Sequence, residues 1–440
     1  MRLLWNPIHG TSGQSQYAKN LVWLYILLVV FEGALRKWVF PSLSNELLVI
    51  RDPIALLLLI YGIKRRMLWG FYSFVAIATG IFALLITRSS TDVNLETAYF
   101  GSRIWYFYVP CFFVIGNIMT REDVFRVLRF FIWLSIPMTV FVIMQNNSPQ
   151  SSWVNLGVGG NEEGSGFAPI DDHYRPSAIF AFVTLYVSYQ VFVLLGLILY
   201  MVDKEVRKLV PMSPYIIYVA LVCYLISIAI SFSRTLVFET GFLLLCTFVF
   251  YAIRGRGIGR MLISFIILII TSVFLLQNEY VQKQVDVLEK RFDQAEAAEG
   301  DVLEGTLYDR MVESMFRFTE LETPTMGNGI GIASRVGIKY LEDKNEEPYI
   351  TDEEWSRIAW ESGFYIGGIF ILLRLLLTFH LLFRGINRLW WRDVIPIMFI
   401  PPIIMWVPNN NWSLTTLLGL CSLAVSFFIS VSNYIPKQQD

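Results

Sequence analysis

Charge and histidine are scarce in this chain, and their scarcity limits what it can be. Only 16% of the 440 residues are charged, three are histidines, and 55% are hydrophobic. A soluble domain usually carries about 25% charged residues, so the composition excludes an ordinary soluble globular protein. The net charge of −1 provides no general basic field, which argues against nucleic acid as a partner.

Cysteines are also few, and their positions carry no metal or disulfide signal. All four lie in or at the ends of apolar runs: Cys111, Cys223, Cys246 and Cys421. Their spacing matches neither a zinc site nor a disulfide framework. An Asp-x-Asp motif and a histidine cluster are both missing from the sequence. We therefore expect packing cysteines and neither a metal nor a cofactor.

Long apolar stretches are abundant, and they predict an all-α polytopic membrane protein with about twelve transmembrane helices. An apolar run of about 17–25 residues can cross the hydrocarbon core as a helix. Residues 1–19 lack a cleavable signal pattern, so the first span is expected to be retained. The predicted spans cover residues 20–40, 46–63, 67–87, 98–118, 127–145, 178–201, 214–231, 236–253, 261–277, 357–382, 394–407 and 413–432.

Basic residues follow every second predicted span, as expected if both chain termini lie in the cytoplasm. Their role in orientation explains these residues without any catalytic function. The clusters are Lys64, Arg65 and Arg66; Arg121 and Arg126; Lys204, Arg207 and Lys208; Arg254, Arg256 and Arg260; and Arg384, Arg388 and Arg392.

The two longest loops fall on the opposite, outer side. We therefore divide the chain into residues 1–277, with nine spans and the outer loop 146–177, a large outer loop 278–356, and residues 357–440 with the last three spans. The large loop is acidic, and apolar residues at helical spacing predict helices on the outer face. Long ordered loops usually carry function.

Several ionisable residues lie within the predicted spans, where they are costly and are candidates for function. Sequence neighbours suggest that Glu32 pairs with Arg36 and that Arg51 pairs with Asp52. Two further arginines near the outer ends of spans have no adjacent acidic residue: Arg103 and Arg234. Near the outer interface, such a guanidinium could hold a diphosphate by bidentate hydrogen bonds.

The outer loops add further candidates. Arg175 precedes the sixth span on the side where the positive-inside rule disfavours it, and His173 is either a base or a solvated loop residue. Arg310 and Arg317 precede a glycine-rich turn at residues 324–331. That turn is a weak signal and follows no strand, so it does not predict a dinucleotide fold.

A charged segment enters the tenth span. Glu354, Arg357 and Glu361 have the spacing of one helix face, which would place a carboxylate and a guanidinium at the outer surface. Glu354 is our first candidate for a catalytic base and Asp352 the second. A structural alternative is a capping box, in which Thr351 caps the helix and Glu354 closes its first turn.

These motifs, in this order, resemble the superfamily of O-antigen and exopolysaccharide polymerases and O-antigen ligases. The resemblance is best over residues 217–375, although most of the chain contributes. The matching elements are Glu-Gly-Ala-Leu-Arg-Lys-Trp at 32–38, Arg-Asp-Pro at 51–53, Arg-Pro-Ser at 175–177, Ser-Arg-Thr at 233–235, Arg310, the turn 324–331, Asp-Glu-Glu-Trp-Ser-Arg at 352–357 and Glu-Ser-Gly at 361–363.

The resemblance implies a GT-C-like, metal-independent inverting glycosyltransferase in a bacterial inner membrane, acting on its periplasmic side. Its donor and acceptor would be glycans linked to undecaprenyl diphosphate, bound by Arg175, Arg234, Arg310, Arg357 and Arg103. A chain-length regulator is a further candidate partner.

Two alternatives remain. An O-antigen ligase usually has a His-Asn pair where this chain has acidic residues and Trp355, and this departure favours a polymerase. A polysaccharide or lipid-carrier transporter should show charges near the bilayer midplane and internal repeats, whereas these candidates cluster at outer helix ends.

Overall fold

The computed structural model describes residues 15–68, 70–164, 174–255, 257–299, 316–317, 324–348, 351, 353–391 and 393–434. Regular structure in these ranges is entirely helical. The main helices are α1 (Gln16–Ala34), α2 (Asp52–Lys64), α3 (Phe71–Ser90), α4 (Leu95–Arg103), α5 (Val109–Ile118), α6 (Arg121–Asn146), α7 (Val183–Val202), α8 (Lys204–Leu209), α9 (Pro214–Ser231), α10 (Arg234–Arg254), α11 (Ile258–Leu275), α12 (Glu279–Glu299), α13 (Arg335–Asp343), α14 (Glu354–Trp390), α15 (Ile400–Trp406) and α16 (Thr415–Ser432).

Each of the twelve predicted spans coincides with helical structure, and the prediction of an all-α polytopic membrane protein is confirmed. In the described part of the chain, nine helices are long and apolar enough to cross a bilayer. The other three predicted spans are shorter or interrupted. α2 has 13 residues, a π-helical turn at Ile104–Tyr108 separates α4 from α5, and α15 has only 7 residues. The number of crossings stays a prediction.

Burial divides the helices into a central and a peripheral set. Every residue of α16 is buried, and α7 is buried almost throughout. In contrast, Met261 and Thr271 are the only buried residues of α11. A helix that is apolar on all sides and exposed on most of them suits a lipid environment. α16 and α7 therefore form the centre of the bundle, and α11 lies at its edge.

The basic clusters gather at one end of this bundle. Lys19 Nζ lies 2.6 Å from a carboxylate oxygen of Asp123, and Arg121 lies 2.7 Å from Asp393. These pairs join the start of α1, the start of α6 and the segment after α14. The alternation of basic clusters along the sequence therefore corresponds to a common end in three dimensions.

The long loops meet at the other end. Asn146, the last residue of α6, donates hydrogen bonds to Tyr280 and Gln284 of α12 at 3.1 and 2.9 Å. The buried Val287 and Leu288 of α12 pack on Phe232, between α9 and α10. The prediction of a helix in the large loop is thus confirmed for Glu279–Glu299. We refer to this as the loop end.

Helix α14 is broken at Gly363, and this break determines where the charged segment lies. Gly363 has φ 75° and ψ 164°, a conformation outside the helical region. Arg374 Nη1 nevertheless lies 2.5 Å from Glu354 Oε1. A continuous helix would separate these two residues by about 30 Å along its axis. Residues 354–362 therefore fold back along the helix that follows Gly363.

Candidate functional site

Four buried charged residues of α14 form a chain of ion pairs, named here the α14 cluster: Glu354, Arg357, Glu361 and Arg374. Arg357 Nε donates to Glu354 at 2.8 Å, and Arg357 Nη1 donates to Glu361 at 2.7 Å. Arg374 Nη1 donates to the second oxygen of Glu354 at 2.5 Å. All four side chains are at most 3% exposed. Two carboxylates thus balance two guanidinium groups.

The segment between α15 and α16 completes this network. Arg374 Nε donates to the carbonyl oxygen of Val407 at 2.7 Å, and its Nη2 donates to that of Asn410 at 2.8 Å. The guanidinium carbon lies 3.8 Å from the ring centre of Trp412, whose backbone N–H donates to Glu354 at 3.3 Å. Each nitrogen of Arg374 and each oxygen of Glu354 is therefore occupied.

Glu354, Arg357 and Glu361 interact along one face, as the sequence predicted, and all three are buried; their position at the outer surface of the membrane stays a prediction. The fold-back at Gly363 turns residues 354–362 into the bundle, where Glu354 is 1% exposed. A tenth span that continued straight would have placed Glu354 at the outer end of that helix.

The capping-box alternative is also wrong. Glu353, not Thr351, is the N-cap residue of α14, and it makes no side-chain cap hydrogen bond. The hydroxyl of Thr351 accepts from the backbone N–H of Glu353 at 3.1 Å. Glu354 cannot close the box because its carboxylate is bound to arginines.

The glycine-rich turn at residues 324–331 covers the break in α14. Asn328 N–H donates to the carbonyl of Trp360 at 2.9 Å, and Gly329 N–H donates to that of Glu361 at 2.9 Å. A helix that ends inside a protein leaves such carbonyls without intrahelical partners. A Cβ at Gly331 would lie 2.2 Å from the carbonyl oxygen of Thr97, so the turn reaches its place only as glycine.

A second group of charges, the α1 cluster, lies at the loop end of α1: Glu32, Arg36, Lys37 and Arg51. Glu32 accepts from Arg36 at 3.2 Å and from Thr415 at 2.8 Å. Arg51 lies 3.3 Å from the other oxygen of Glu32. The predicted Glu32–Arg36 pair is confirmed, whereas the predicted Arg51–Asp52 pair is wrong because Arg51 turns to α1.

Asp52 instead binds Arg103, at 2.5 Å. The same carboxylate accepts hydrogen bonds from Tyr108 at 2.6 Å and Tyr99 at 3.1 Å. Arg103 is 1% exposed. Asp52, on a neighbouring helix, thus neutralises Arg103, and its role as a diphosphate ligand stays a prediction. The prediction considered only acids adjacent in sequence.

Lys37 stands apart from these pairs. It lies in the π-helical turn Leu35–Val39 that continues α1, and its ammonium group donates to the hydroxyl of Ser177 at 2.6 Å. The side chain is 1% exposed. Within the described ranges, no carboxylate lies at ion-pair distance from it. The α1 cluster thus contains three basic side chains and one carboxylate, that of Glu32.

The remaining predicted ligands have mixed outcomes. Arg175 is half-buried, two residues before the Ser177 that binds Lys37, and Arg234 is the first residue of α10. Leu236, the third residue of α10, packs on Val183 and Val187 at the start of α7. Three predicted residues lie outside the described ranges: Arg310, Asp352 and His173.

Sequence reasoning missed Arg374 and Lys37. Arg374 lies inside a predicted span, so its ionisable group should have been weighed with the other intramembrane charges. Lys37 follows Arg36 on the side where positive charge is disfavoured, which is the same signal that identified Arg175.

Comparison with known proteins adds no assignment: no family model, curated protein or solved structure matches this chain. The chain is thus defined by its own geometry, as a polytopic helical membrane protein with one balanced and one cationic cluster of buried charges.

Proposed function

We propose that the protein is an inverting glycosyltransferase. It would polymerise oligosaccharide units carried on polyprenyl diphosphate, on the outer face of the membrane that it spans. The observation that carries the proposal is the concentration of positive charge at the loop end. The α1 cluster has an excess of cations, and Arg175 lies two residues from its Ser177 contact. A diphosphate leaving group needs this kind of charge neutralisation.

The proposed reaction joins two lipid-linked glycans. A hydroxyl oxygen of the acceptor sugar attacks the anomeric carbon of the donor from the face opposite its phosphate. The bond from that carbon to the phosphate oxygen breaks, and polyprenyl diphosphate leaves with the electron pair. The hydroxyl proton passes to a carboxylate, and the configuration at the anomeric carbon inverts.

The contacts of Glu354 give it a positioning role in this proposal. Both of its oxygens are bound to arginines, and Arg374 and Trp412 hold it in place. Oε1 of this carboxylate accepts two hydrogen bonds and Oε2 accepts one, so both oxygens are engaged by groups that hold the fold. We therefore assign the proton acceptor to Asp352. Arg175, Arg234 and Arg310 are proposed to bind the diphosphate.

The decisive experiment uses purified protein, reconstituted with a lipid-linked repeat unit, and follows chain growth by gel electrophoresis. Asp352→Asn should reduce the polymerisation rate by about 10²–10⁴, the usual contribution of a general base. Glu353→Gln is the matched control and should keep most of the activity. If Asp352→Asn remains fully active while Glu354→Gln folds normally and is inactive, the assignment passes to Glu354.

A deletion strain separates polymerase from ligase. Single-repeat glycan on the lipid core indicates loss of a polymerase. Free polymer linked to undecaprenyl diphosphate indicates loss of a ligase, and would overturn the proposal.

The diphosphate ligands are tested by replacing arginine with lysine. Arg175→Lys, Arg234→Lys and Arg310→Lys should each lose most activity, because a point charge does not reproduce the bidentate fork. Arg207→Lys, at the opposite end of the bundle and exposed, is the control. Equal activity of all four variants would argue against these ligands.

The proposed orientation can be tested on its own. In a cysteine-free background, Asn345→Cys should react with an impermeant maleimide in intact spheroplasts, while Lys208→Cys should react only after lysis. Both positions are exposed in the structure. The reverse pattern would place the loop end in the cytoplasm.

A transporter for a lipid carrier is a second candidate, favoured by one observation. The broken helix α14 holds charged residues inside the bundle, as the discontinuous helices of transporters do. Proteoliposomes distinguish the two functions. A transporter moves a fluorescent lipid-linked sugar between leaflets without changing its mass, whereas a polymerase extends it.

A further inference from the structure

Within the described ranges, the buried basic side chains at the loop end of α1 outnumber the carboxylates at ion-pair distance from them. Glu32 is shared by Arg36 and Arg51, whereas Lys37 donates to the hydroxyl of Ser177 and lies 5.4 Å from the ring centre of Trp38. Arg36 Nη2 is buried without a hydrogen-bond partner. A buried cation is unfavourable unless an anion accompanies it.

The donors with spare capacity lie close together in the chain and converge with a third element. Arg36 and Lys37 are consecutive within the π-helical turn Leu35–Val39. Local π-helical turns are often found at functional sites. Arg335, the first residue of α13, is exposed to solvent, and its positive charge acts on that of Arg36.

The chemistry of the donors indicates a phosphate-bearing ligand. A guanidinium group presents a planar fork that matches phosphate oxygens, and lysine adds a compact point charge. The α1 cluster exceeds its own carboxylate by two cations, and the neighbouring Arg335 supplies a third. A diphosphate carries enough negative charge and enough oxygens to engage them together.

The neighbouring surface indicates that the ligand arrives with a lipid. Val39 ends the turn and Phe40 and Leu43 follow it, and each of the three is about half exposed. These apolar side chains continue the lipid-exposed surface of the bundle beside the cationic site. A soluble phosphate would gain nothing from such a surface, whereas an isoprenoid chain would lie along it.

We propose that Arg36, Lys37 and Arg335 bind the diphosphate head group of a polyprenyl lipid, with its isoprenoid chain along Val39, Phe40 and Leu43. None of these cations was among the ligands predicted from the sequence. The inference rests on the proposed function for the identity of the lipid. It adds a second head-group site beside that of Arg175 and Arg234, as expected for a reaction that joins two lipid-linked molecules.

The test is direct binding of undecaprenyl diphosphate to the full-length protein in lipid nanodiscs, followed by native mass spectrometry. Lys37→Met should weaken binding at least tenfold, and Lys37→Arg should restore part of it. Lys208→Met, an exposed lysine at the opposite end, is the matched control and should bind as the unaltered protein does. Equal binding by Lys37→Met and the control would overturn the inference.

Thermal unfolding without ligand provides a second readout that a merely structural lysine would not give. Removal of an uncompensated buried cation should leave the melting temperature unchanged or raise it. A marked fall would show that Lys37 stabilises the fold and would overturn the inference.

Two competitors identify the source of the phosphate. Inorganic pyrophosphate should compete weakly, because it lacks the chain, and phosphatidylglycerol should not compete. Equal competition by pyrophosphate would exclude a lipid site. Because binding is measured without turnover, loss of lipid binding in Lys37→Met would uphold this site even if the unaltered protein formed no polymer. Unchanged binding together with normal polymerisation would overturn only the site.

Discussion

The two buried charge clusters differ in how their charges are balanced. In the α14 cluster, two carboxylates meet two guanidinium groups, and Arg374 uses all of its nitrogens on described partners. In the α1 cluster, Arg36 and Arg51 share the carboxylate of Glu32, Lys37 has no carboxylate at ion-pair distance in the described ranges, and Arg36 keeps a buried nitrogen without a hydrogen bond. Charge balance characterises a group that holds the fold together, whereas imbalance indicates a place for a ligand.

Burial alone would not have separated the two clusters. An ionisable residue at membrane depth is a candidate for function wherever it occurs. Both groups satisfy that criterion, and in both the side chains are nearly inaccessible. The two clusters differ in the ion-pair and hydrogen-bond partners of their charged groups. Removing one basic side chain from each cluster tests this difference.

The largest expected effect is on stability. Arg374→Met leaves two buried carboxylates, Glu354 and Glu361, to share the single guanidinium of Arg357, so the free energy of unfolding should fall by ~3–5 kcal/mol. Arg36→Met should cost much less, because Arg51 and Thr415 still hold Glu32. Chemical unfolding of the two purified variants measures the difference. Equal losses in both would remove the distinction between the clusters.

The next effect concerns the break that creates the α14 cluster. Gly363→Ala forces a side chain into a backbone conformation nearly restricted to glycine, at a cost of ~1–3 kcal/mol from strain alone. The added Cβ would also lie 2.3 Å from the carbonyl oxygen of Thr325. Gly368→Ala is the control, because a Cβ there meets nothing within 4 Å. Comparable unfolding curves for the two variants would contradict the importance of the break.

A smaller effect is expected where α16 meets the α1 cluster. A Cβ at Gly419 would lie 2.1 Å from Arg51 Nη1, so Gly419→Ala must displace that guanidinium from Glu32. Overpacking of this kind typically costs ~1–3 kcal/mol. The double variant Gly419→Ala with Arg51→Met should recover much of the loss in the same unfolding measurement. Failure to recover would show that the clash lies with Val29 instead.

The smallest effect should come from an exposed ion pair. Arg126 and Glu122 lie 2.6 Å apart on α6 with side chains about half exposed. Pairs of this kind contribute at most ~1 kcal/mol. Arg126→Gln should therefore unfold almost as the unaltered protein does. A loss as large as that of Arg374→Met would refute the view that burial and balance give the α14 cluster its stability.

The apolar runs predicted the class of fold because membrane helices need length and hydrophobicity, both of which are local. The same reasoning found residues 354–361 as a charged helix face. It could not predict the fold-back, because nothing in the local sequence marks Gly363 as a helix break. The break becomes evident only from the contacts of the turn at 324–331 with Trp360 and Glu361. The partner of Arg103 was missed for a related reason, since Asp52 is remote in sequence and reaches it from another helix.

The fold-back of α14 also constrains how the chain can be made. Arg374 takes its partners from residue 354 on one side and from residues 407 and 410 on the other. A chain truncated before residue 407 would still contain all four members of the α14 cluster, but it would lack the two carbonyl acceptors of Arg374 and the N–H donor of Trp412. The cluster is therefore complete only once the segment between α15 and α16 has been synthesised.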